Sequence, residues 1–111
     1  MEKKSAHYPL AKVKEVVAIH GVGCFTGSAR KGVEEMKLTT DEALAAIAAL
    51  ERSDCYKSMT THADHRIWQD VYHCDTPAGA AYVKFTLIEP PDANTTPRVV
   101  ISFKRLEEND T

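Results

Sequence analysis

Apolar residues follow a helical spacing in the first part of the chain. Pro9 occupies the place of a first-turn proline, and the pattern after it predicts a helix that Gly21 and Gly23 end. Residues 22–25 are apolar enough to form a short strand after those glycines. The apolar face of this first helix consists of Leu10, Val13, Val16 and Val17.

Two more helices are predicted before residue 51. Thr26 or Ser28 can cap a second helix that runs to about Leu38. Thr39 followed by Glu42 has the sequence of a capping box and opens a third helix through residue 50. The residues expected to face inward from this third helix are Leu44, Ile47 and Ala48.

The second half of the chain is rich in β-branched and aromatic residues, with turn residues between the apolar runs. Four strands are predicted, at 55–60, 67–73, 80–89 and 98–105. The second strand turns into the third at residues 75–79. Residues 90–97 contain three prolines, which no central strand could hold, and are expected to form a polar loop.

The last two strands alternate between apolar and polar residues, which predicts a sheet with two unlike faces. Helices that precede antiparallel strands indicate an α+β fold, with short N-terminal helices packed on one face of a mostly antiparallel β-sheet. The other face is left for solvent or a ligand. The apolar positions are Val83, Phe85, Leu87, Val99, Ile101 and Phe103, and the polar ones are Tyr82, Lys84, Thr86, Arg98, Ser102 and Lys104.

Length and composition are those of one soluble domain. The chain has 111 residues, of which 43% are apolar and 27% charged, so residues 1–111 are expected to form a single domain. No apolar run reaches the ~20 residues of a membrane span, and no signal-peptide core follows the charged first residues. Three cysteines are an odd count, unlike a secreted disulfide scaffold. We therefore expect a cytoplasmic protein.

The formal net charge of −2 gives no strong field to attract polyanions. The charge is unevenly distributed, with a surplus of four positive charges in residues 1–31 and of four negative charges in residues 32–54. Removing residues 106–111, which hold three acidic residues and no basic one, changes the net charge to +1. We expect this acidic tail to repel RNA only at a distance, without contacting the site, and to be screened by salt.

Four polar residues on four different predicted strands suit a metal-free ribonuclease: Lys57, Gln69, Tyr82 and Lys104. Such an enzyme needs a base for the ribose 2′-OH, an acid for the leaving 5′-oxygen, and donors to the charged phosphorane. Lysine can serve as base or acid when nearby cations lower its pKa, and tyrosine or glutamine can donate hydrogen bonds. The alternative is that strand lysines only protect sheet edges and add solubility.

Aromatic residues on the strands have two interpretations. Trp68, Tyr56, Tyr72 and Tyr82 can stack on bases or fill the core, and core filling is preferred for Trp68. Met59 can likewise pack on a base or fill the core, and the core is preferred.

The histidines and cysteines suggest three further sites. His62, Asp64, His65, His73 and Cys74 lie close in sequence, but their spacing fits neither a zincin nor a zinc knuckle, so no metal site is predicted. His65 or His62 can serve as a proton shuttle or simply belong to a loop. Cys55 and Cys74 are interpreted as buried, inert thiols rather than nucleophiles.

Several runs of the chain resemble one family. The sequence SDCYKSMTT at 53–61, with DH at 64–65 and IWQDVY at 67–72, is similar to the signature block of the motility quorum-sensing regulator (MqsR) toxins. MEK at 1–3 with His7, YVK at 82–84 and SFK at 102–104 are similar too. The resemblance covers nearly the whole chain. Residues 90–97 resemble an insertion in the last hairpin, and residues 106–111 extend beyond the family's usual end.

The resemblance implies a RelE-like fold and the toxin of a type II toxin–antitoxin system. Members cut single-stranded mRNA at short GC-containing triplets, which inhibits translation and growth, and they use no metal or other cofactor. The partner implied is an MqsA-like antitoxin with a zinc-binding half and a helix-turn-helix half, and the free toxin is expected to be a monomer. The zinc belongs to the antitoxin.

The residues that match the family's catalytic set are Lys57, Gln69, Tyr82 and Lys104. The RNA-binding candidates are Tyr56, Met59, Lys84, Arg105 and His65.

These residues lead to two hypotheses. In the first, the 2′-OH attacks the adjacent phosphate and leaves a 2′,3′-cyclic phosphate and a 5′-OH. Lys57 would be base or charge stabiliser, Lys104 would bind the scissile phosphate, and Gln69 would orient it. Tyr82 would be acid or stacking platform. The second, motivated by the acidic tail, is a non-catalytic RNA- or protein-binding module on the same fold.

Overall fold

The computed structural model describes residues 1–110, which form three helices packed on one face of a five-stranded sheet. All neighbouring strands are antiparallel and follow chain order across the sheet. No helix among these residues is long and apolar enough to cross a membrane. The strands are β1 (Glu2–Lys3), β2 (Cys55–Thr60), β3 (Trp68–Thr76), β4 (Gly79–Ile88) and β5 (Arg98–Arg105), and the helices are α1 (Leu10–His20), α2 (Gly27–Glu35) and α3 (Thr40–Ala48). The predicted α+β fold is confirmed.

The helix boundaries follow the capping residues. Helix α1 ends at Gly21, whose φ of 55° is accessible to glycine at little cost. The Thr26 hydroxyl accepts a hydrogen bond from the N–H of Ala29 at 3.0 Å and caps α2. The capping box of Thr39 and Glu42 is present at the start of α3. The second and third helices end two or three residues earlier than predicted.

Some local predictions were wrong. Residues Gly21–Cys24 wind into a 3₁₀ turn instead of a strand, and only Phe25 forms a bridge, parallel to Ile101 of β5. The Phe25 N–H donates to the Val22 carbonyl at 3.0 Å, which closes this turn and leaves Phe25 as the extended residue after it. Ile47 is buried as predicted and Leu44 is half-buried against the core, but Ala48 is exposed, because α3 buries Ala43 instead. The short β1 was not predicted.

Helix α2 and strand β5 are in very close contact. Gly32 of α2 is buried against β5, where a Cβ atom would overlap the backbone carbonyl of Phe103. Only glycine therefore allows this approach. The contact fixes the edge strand that carries Lys104 against the helical layer. The core between the layers is apolar and includes Val13, Val17, Ala29, Val33, Ile47, Tyr72, Val83, Phe85, Ile101 and Phe103.

Asp70 ties the N-terminal segment to the middle of the sheet. Its buried carboxylate accepts hydrogen bonds from the backbone N–H of His7 at 2.9 Å and of Tyr8 at 2.8 Å, and from the Ser58 hydroxyl at 2.6 Å. Three hydrogen bonds offset the cost of burying this group. Because residues 7 and 8 are held in this way, β1 can pair with β2, where Glu2 lies opposite Met59.

Trp68 is not a core residue, contrary to the prediction. Its ring is only half-buried, and the His7 ring stacks on it with centroids 4.9 Å apart and an interplanar angle of 12°. The Lys3 ammonium lies 4.5 Å from the ring centroid, a cation–π contact. The N-terminal segment, through His7 and Lys3, therefore covers the ring.

Candidate active site

The sheet face opposite the helices, called here the open face, brings the predicted polar residues together. On this face Lys57 of β2 pairs with Val71 of β3, which pairs with Lys84 of β4. Lys84 in turn pairs with Ser102 of β5. Directly paired residues have Cβ atoms about 5 Å apart, so these cations lie within one small area of the sheet.

A second row crosses the open face beside the first. His73 pairs with Tyr82, and Tyr82 pairs with Lys104, whose ammonium lies 5.2 Å from the Tyr82 ring centroid. Gln69 belongs to the same face of β3 and pairs with Met59, roughly 7 Å along the strand from Val71. The four residues matched to the family's catalytic set therefore share one face of the sheet.

Lys57 is held in an ion pair. Its Nζ donates a hydrogen bond to Glu2 Oε1 at 2.9 Å, and its side chain is 28% exposed. The hydrogen bond and charge of Glu2 raise the pKa of Lys57, and Lys57 in turn lowers the pKa of Glu2. Lys57 therefore stays protonated near neutral pH in the free protein, which suits a charge stabiliser or proton donor and not a base.

A bulge in β2 adds an aromatic residue to the open face. The register between β2 and β3 shifts between Cys55 and Lys57, and Tyr56 at the bulge stacks on the His73 ring with centroids 4.5 Å apart and an interplanar angle of 19°. Tyr56 is 39% exposed, so its ring has surface available to a ligand. This is the geometry of a platform for a nucleobase.

His73 was not among the predicted site residues, yet it lies at the centre of this group. Its ring stands between Tyr56 and Tyr82, whose centroid is 6.4 Å away. Its Nε2 is buried and has no hydrogen-bond partner among the described residues. The alternation of side chains along β3 could have identified it. Residues 69, 71 and 73 share one side of the strand, so His73 lies on the same face as Gln69.

Tyr82 is a neutral hydrogen-bond donor in this site. Burial raises the pKa of its phenol, although the charges of Lys57 and Lys104 act in the opposite direction. A neutral phenol can donate to a phosphate oxygen but is a poor base near neutral pH. Its position between two cations suits the stabilisation of a negatively charged ligand.

The acidic tail contacts the site directly, contrary to the expectation that it acts only at a distance. Asp110 Oδ1 lies 3.3 Å from Lys104 Nζ. With Ser28, Tyr82, Lys84, Ser102 and Phe103, these two residues line an open cavity of about 330 Å³ at the β5 edge. The tail folds back because Glu108–Asp110 form a 3₁₀ turn directly after the strand.

Two of the RNA-binding candidates lie outside the group on the open face. His65 is in the exposed loop between β2 and β3. Arg105 pairs with Ala81, whose side chain faces the helices, and its guanidinium donates to the carbonyl of Ala78 at 2.9 Å in the β3–β4 turn. Alternation along β5 separates Arg105 from Lys104, which precedes it.

Cys74 is buried as predicted, whereas Cys55, which was also predicted to be buried, is half-buried. Burial raises the pKa of the Cys74 thiol to about 12 and also raises the pKa of Cys55. Such thiols are poor nucleophiles near neutral pH. Residues 1–110 contain no group of three or more histidine, cysteine or acidic residues arranged to hold a metal ion.

Comparisons with known proteins give one consistent result. A family model described as "motility quorum-sensing regulator, toxin of MqsA" matches residues 5–105. The chain is also 39% identical over 104 residues to the mRNA interferase toxin MqsR of Escherichia coli (strain K12). That alignment covers 94% of this chain and 98% of the relative. The family match includes strands β2 to β5, which carry Lys57, Gln69, Tyr82 and Lys104.

Proposed function

This chain belongs to the family of motility quorum-sensing regulator toxins, and we propose that its open face cleaves single-stranded mRNA without a metal ion. The observation that carries the proposal is the convergence of Lys57, Lys84 and Lys104 on one sheet face, beside Tyr82 and Gln69. The chain as a whole has a net charge of −2, so RNA is attracted by this local group of cations and not by the overall charge. Lysine ammonium groups bind the phosphates of an RNA backbone.

The proposed reaction is an internal transfer. The ribose 2′-oxygen forms a bond to phosphorus and the bond to the 5′-oxygen breaks, which leaves a 2′,3′-cyclic phosphate and a 5′-OH. The 2′-OH proton passes to solvent, and the Lys57 ammonium supplies a proton to the departing 5′-oxygen. Lys104 binds the scissile phosphate, Gln69 orients it, and the Tyr82 phenol donates to a phosphorane oxygen.

The substrate and partners that we propose are those that membership of the family implies. We propose cleavage at short GC-containing triplets, with a nucleobase stacked on the exposed Tyr56 ring above His73. Met59 and Lys84 contact the RNA beside it. The partner is a zinc-binding, helix-turn-helix antitoxin of the MqsA type, and the free toxin acts as a monomer on mRNA in the cytoplasm.

The reaction type is tested with purified protein and a long single-stranded transcript in EDTA. We expect fragments that carry 2′,3′-cyclic phosphate and 5′-OH ends, and no cleavage of the same sequence made with 2′-O-methyl riboses, which lack the attacking hydroxyl. An intact transcript would overturn the proposal. Cleavage of the 2′-O-methyl strand would instead show that water or another nucleophile attacks.

A non-catalytic binding module is the second candidate. The observation in its favour is that acidic side chains of the chain itself pair with both Lys57 and Lys104. Expression in growing bacteria separates the two functions. A toxin should arrest growth, and Lys57→Ala should restore it, whereas equal growth with both genes would favour the binding module.

A further inference from the structure

The five described residues after β5 are folded back over the sheet edge. The N–H of Leu106 donates to the carbonyl of Ala80 at 2.9 Å, which continues the strand by one residue. The N–H of Asp110 then donates to the Glu107 carbonyl at 2.9 Å, and the Asp110 carboxylate accepts from the Glu107 N–H at 2.9 Å. This closed turn holds the Asp110 side chain in a defined direction.

That direction is toward Lys104. The Asp110 side chain is only 14% exposed, whereas Glu107 and Glu108 are exposed. Its carboxylate lies in the cavity at the β5 edge, 3.3 Å from the Lys104 ammonium. Asp110 is thus the one acid of residues 106–110 that is placed inside the site.

The carboxylate is charged throughout the neutral range. The backbone N–H of Glu107, followed by the hydrogen bond and charge of Lys104 and the charge of His73, holds the pKa of Asp110 below its usual value. A lowered carboxyl pKa means that the contact is present at neutral pH and is lost only as the pH falls through that lowered value. Neutral conditions therefore do not release it.

The tail is additional to the family domain, because the family match ends at residue 105. A carboxylate and a phosphate oxygen are both anionic acceptors for one ammonium, and they repel each other if they share it. We propose that residues 106–110 are an autoinhibitory strap whose Asp110 carboxylate takes the place of an RNA phosphate at Lys104. This inference rests on the proposed function, since it regulates the same face.

Competition within the molecule has a kinetic signature. RNA must displace Asp110 before its phosphate reaches Lys104, so the strap raises the apparent Kd and KM but leaves kcat unchanged at saturating RNA. Displacing a carboxylate also changes the salt dependence. The freed carboxylate attracts cations from solution, so the net release of counterions on RNA binding is smaller with the strap than without it.

The test compares Asp110→Asn with Glu107→Gln, which removes the same charge from the same turn but leaves the Lys104 contact intact. The probe is a fluorescent, single-stranded 2′-O-methyl RNA, and its Kd is measured at several salt concentrations. For Asp110→Asn we expect a Kd lower by about two- to five-fold, as for a half-exposed ion pair, and a plot of log Kd against log salt that is steeper by at most about 0.7. Glu107→Gln should change neither quantity appreciably.

Equal effects of the two variants would overturn the strap, since the tail would then act only through its overall charge. Unchanged binding by Asp110→Asn would overturn it as well, provided that the melting temperatures agree. The proposed function is judged separately by cleavage of unmodified RNA. A protein that binds the 2′-O-methyl strand, responds to Asp110→Asn and leaves RNA intact has the strap but not the catalytic activity.

Discussion

Replacing His73 with alanine should weaken RNA binding by removing the ring that supports Tyr56. The two rings are nearly parallel with centroids 4.5 Å apart, and Tyr56 lies at a bulge where the regular pairing of β2 is interrupted. Without His73 the Tyr56 ring is no longer held in place, so a base that stacks on the ring must also fix its position, and this weakens binding.

The magnitude follows from the stacked pair. Such an aromatic contact contributes about 0.5–1.5 kcal/mol beyond its buried area, which corresponds to a roughly two- to twelve-fold rise in Kd. His73→Phe keeps an aromatic ring and removes the buried Nε2, which has no hydrogen-bond partner within residues 1–110. Because a buried unpaired polar atom costs about 1–3 kcal/mol, the phenylalanine variant should bind like the original protein and melt at a higher temperature.

The assay is fluorescence anisotropy with the 2′-O-methyl RNA, together with a thermal melt of each variant. Tyr56→Ala and the Tyr56→Ala/His73→Ala double variant complete the cycle, and the two losses should not add. Binding by His73→Phe as weak as that of His73→Ala would refute the stacking argument. Retained binding with lost cleavage in His73→Phe would assign the imidazole to the chemistry instead.

Three further predictions concern the ion pair and the scaffold. Glu2→Gln removes the contact that raises the pKa of Lys57, so the alkaline limb of the cleavage pH profile should move to lower pH; an unmoved limb would mean that Lys57 is not the titrating group. Asp70→Asn replaces one of the two carboxylate oxygens that accept the three hydrogen bonds with an NH2 group, which cannot accept them. It should lower the free energy of unfolding by on the order of 3 kcal/mol in urea denaturation. Gly32→Ala forces α2 away from Phe103 and should cost about 1–3 kcal/mol in the same assay, where an unchanged midpoint would show that the helix can shift freely.

The two faces of the sheet could be predicted from the sequence because alternation is a local property of a strand. The polar positions of β4 and β5 depend only on their own spacing, and this placed Tyr82 and Lys104 on the open face correctly. The capping box at Thr39 was also readable, since both of its members lie within one turn of helix. Each of these features involves residues close together in the chain.

The contacts that were missed join residues far apart in sequence. The pairing of Glu2 with Lys57 depends on β1, which in turn depends on Asp70 holding residues 7 and 8. The stacking of Tyr56 on His73 depends on a bulge that shifts the register of β2. No spacing rule within one strand predicts contacts of this kind, because they are set by how separate segments meet.

The central claim is that the residues needed for RNA cleavage lie on the open face. Its most direct test removes a lysine from that face or from the helical layer and measures cleavage. Single-turnover cleavage in EDTA would be measured for Lys57→Ala and Lys104→Ala, with Lys14→Ala of α1 in the helical layer as the control that loses the same charge. We predict that the two open-face variants lose about 10²-fold or more in rate, while Lys14→Ala cleaves at the original rate and all three melt at similar temperatures. Equal rates for all three variants, or a loss confined to Lys14→Ala, would contradict a catalytic site on the open face.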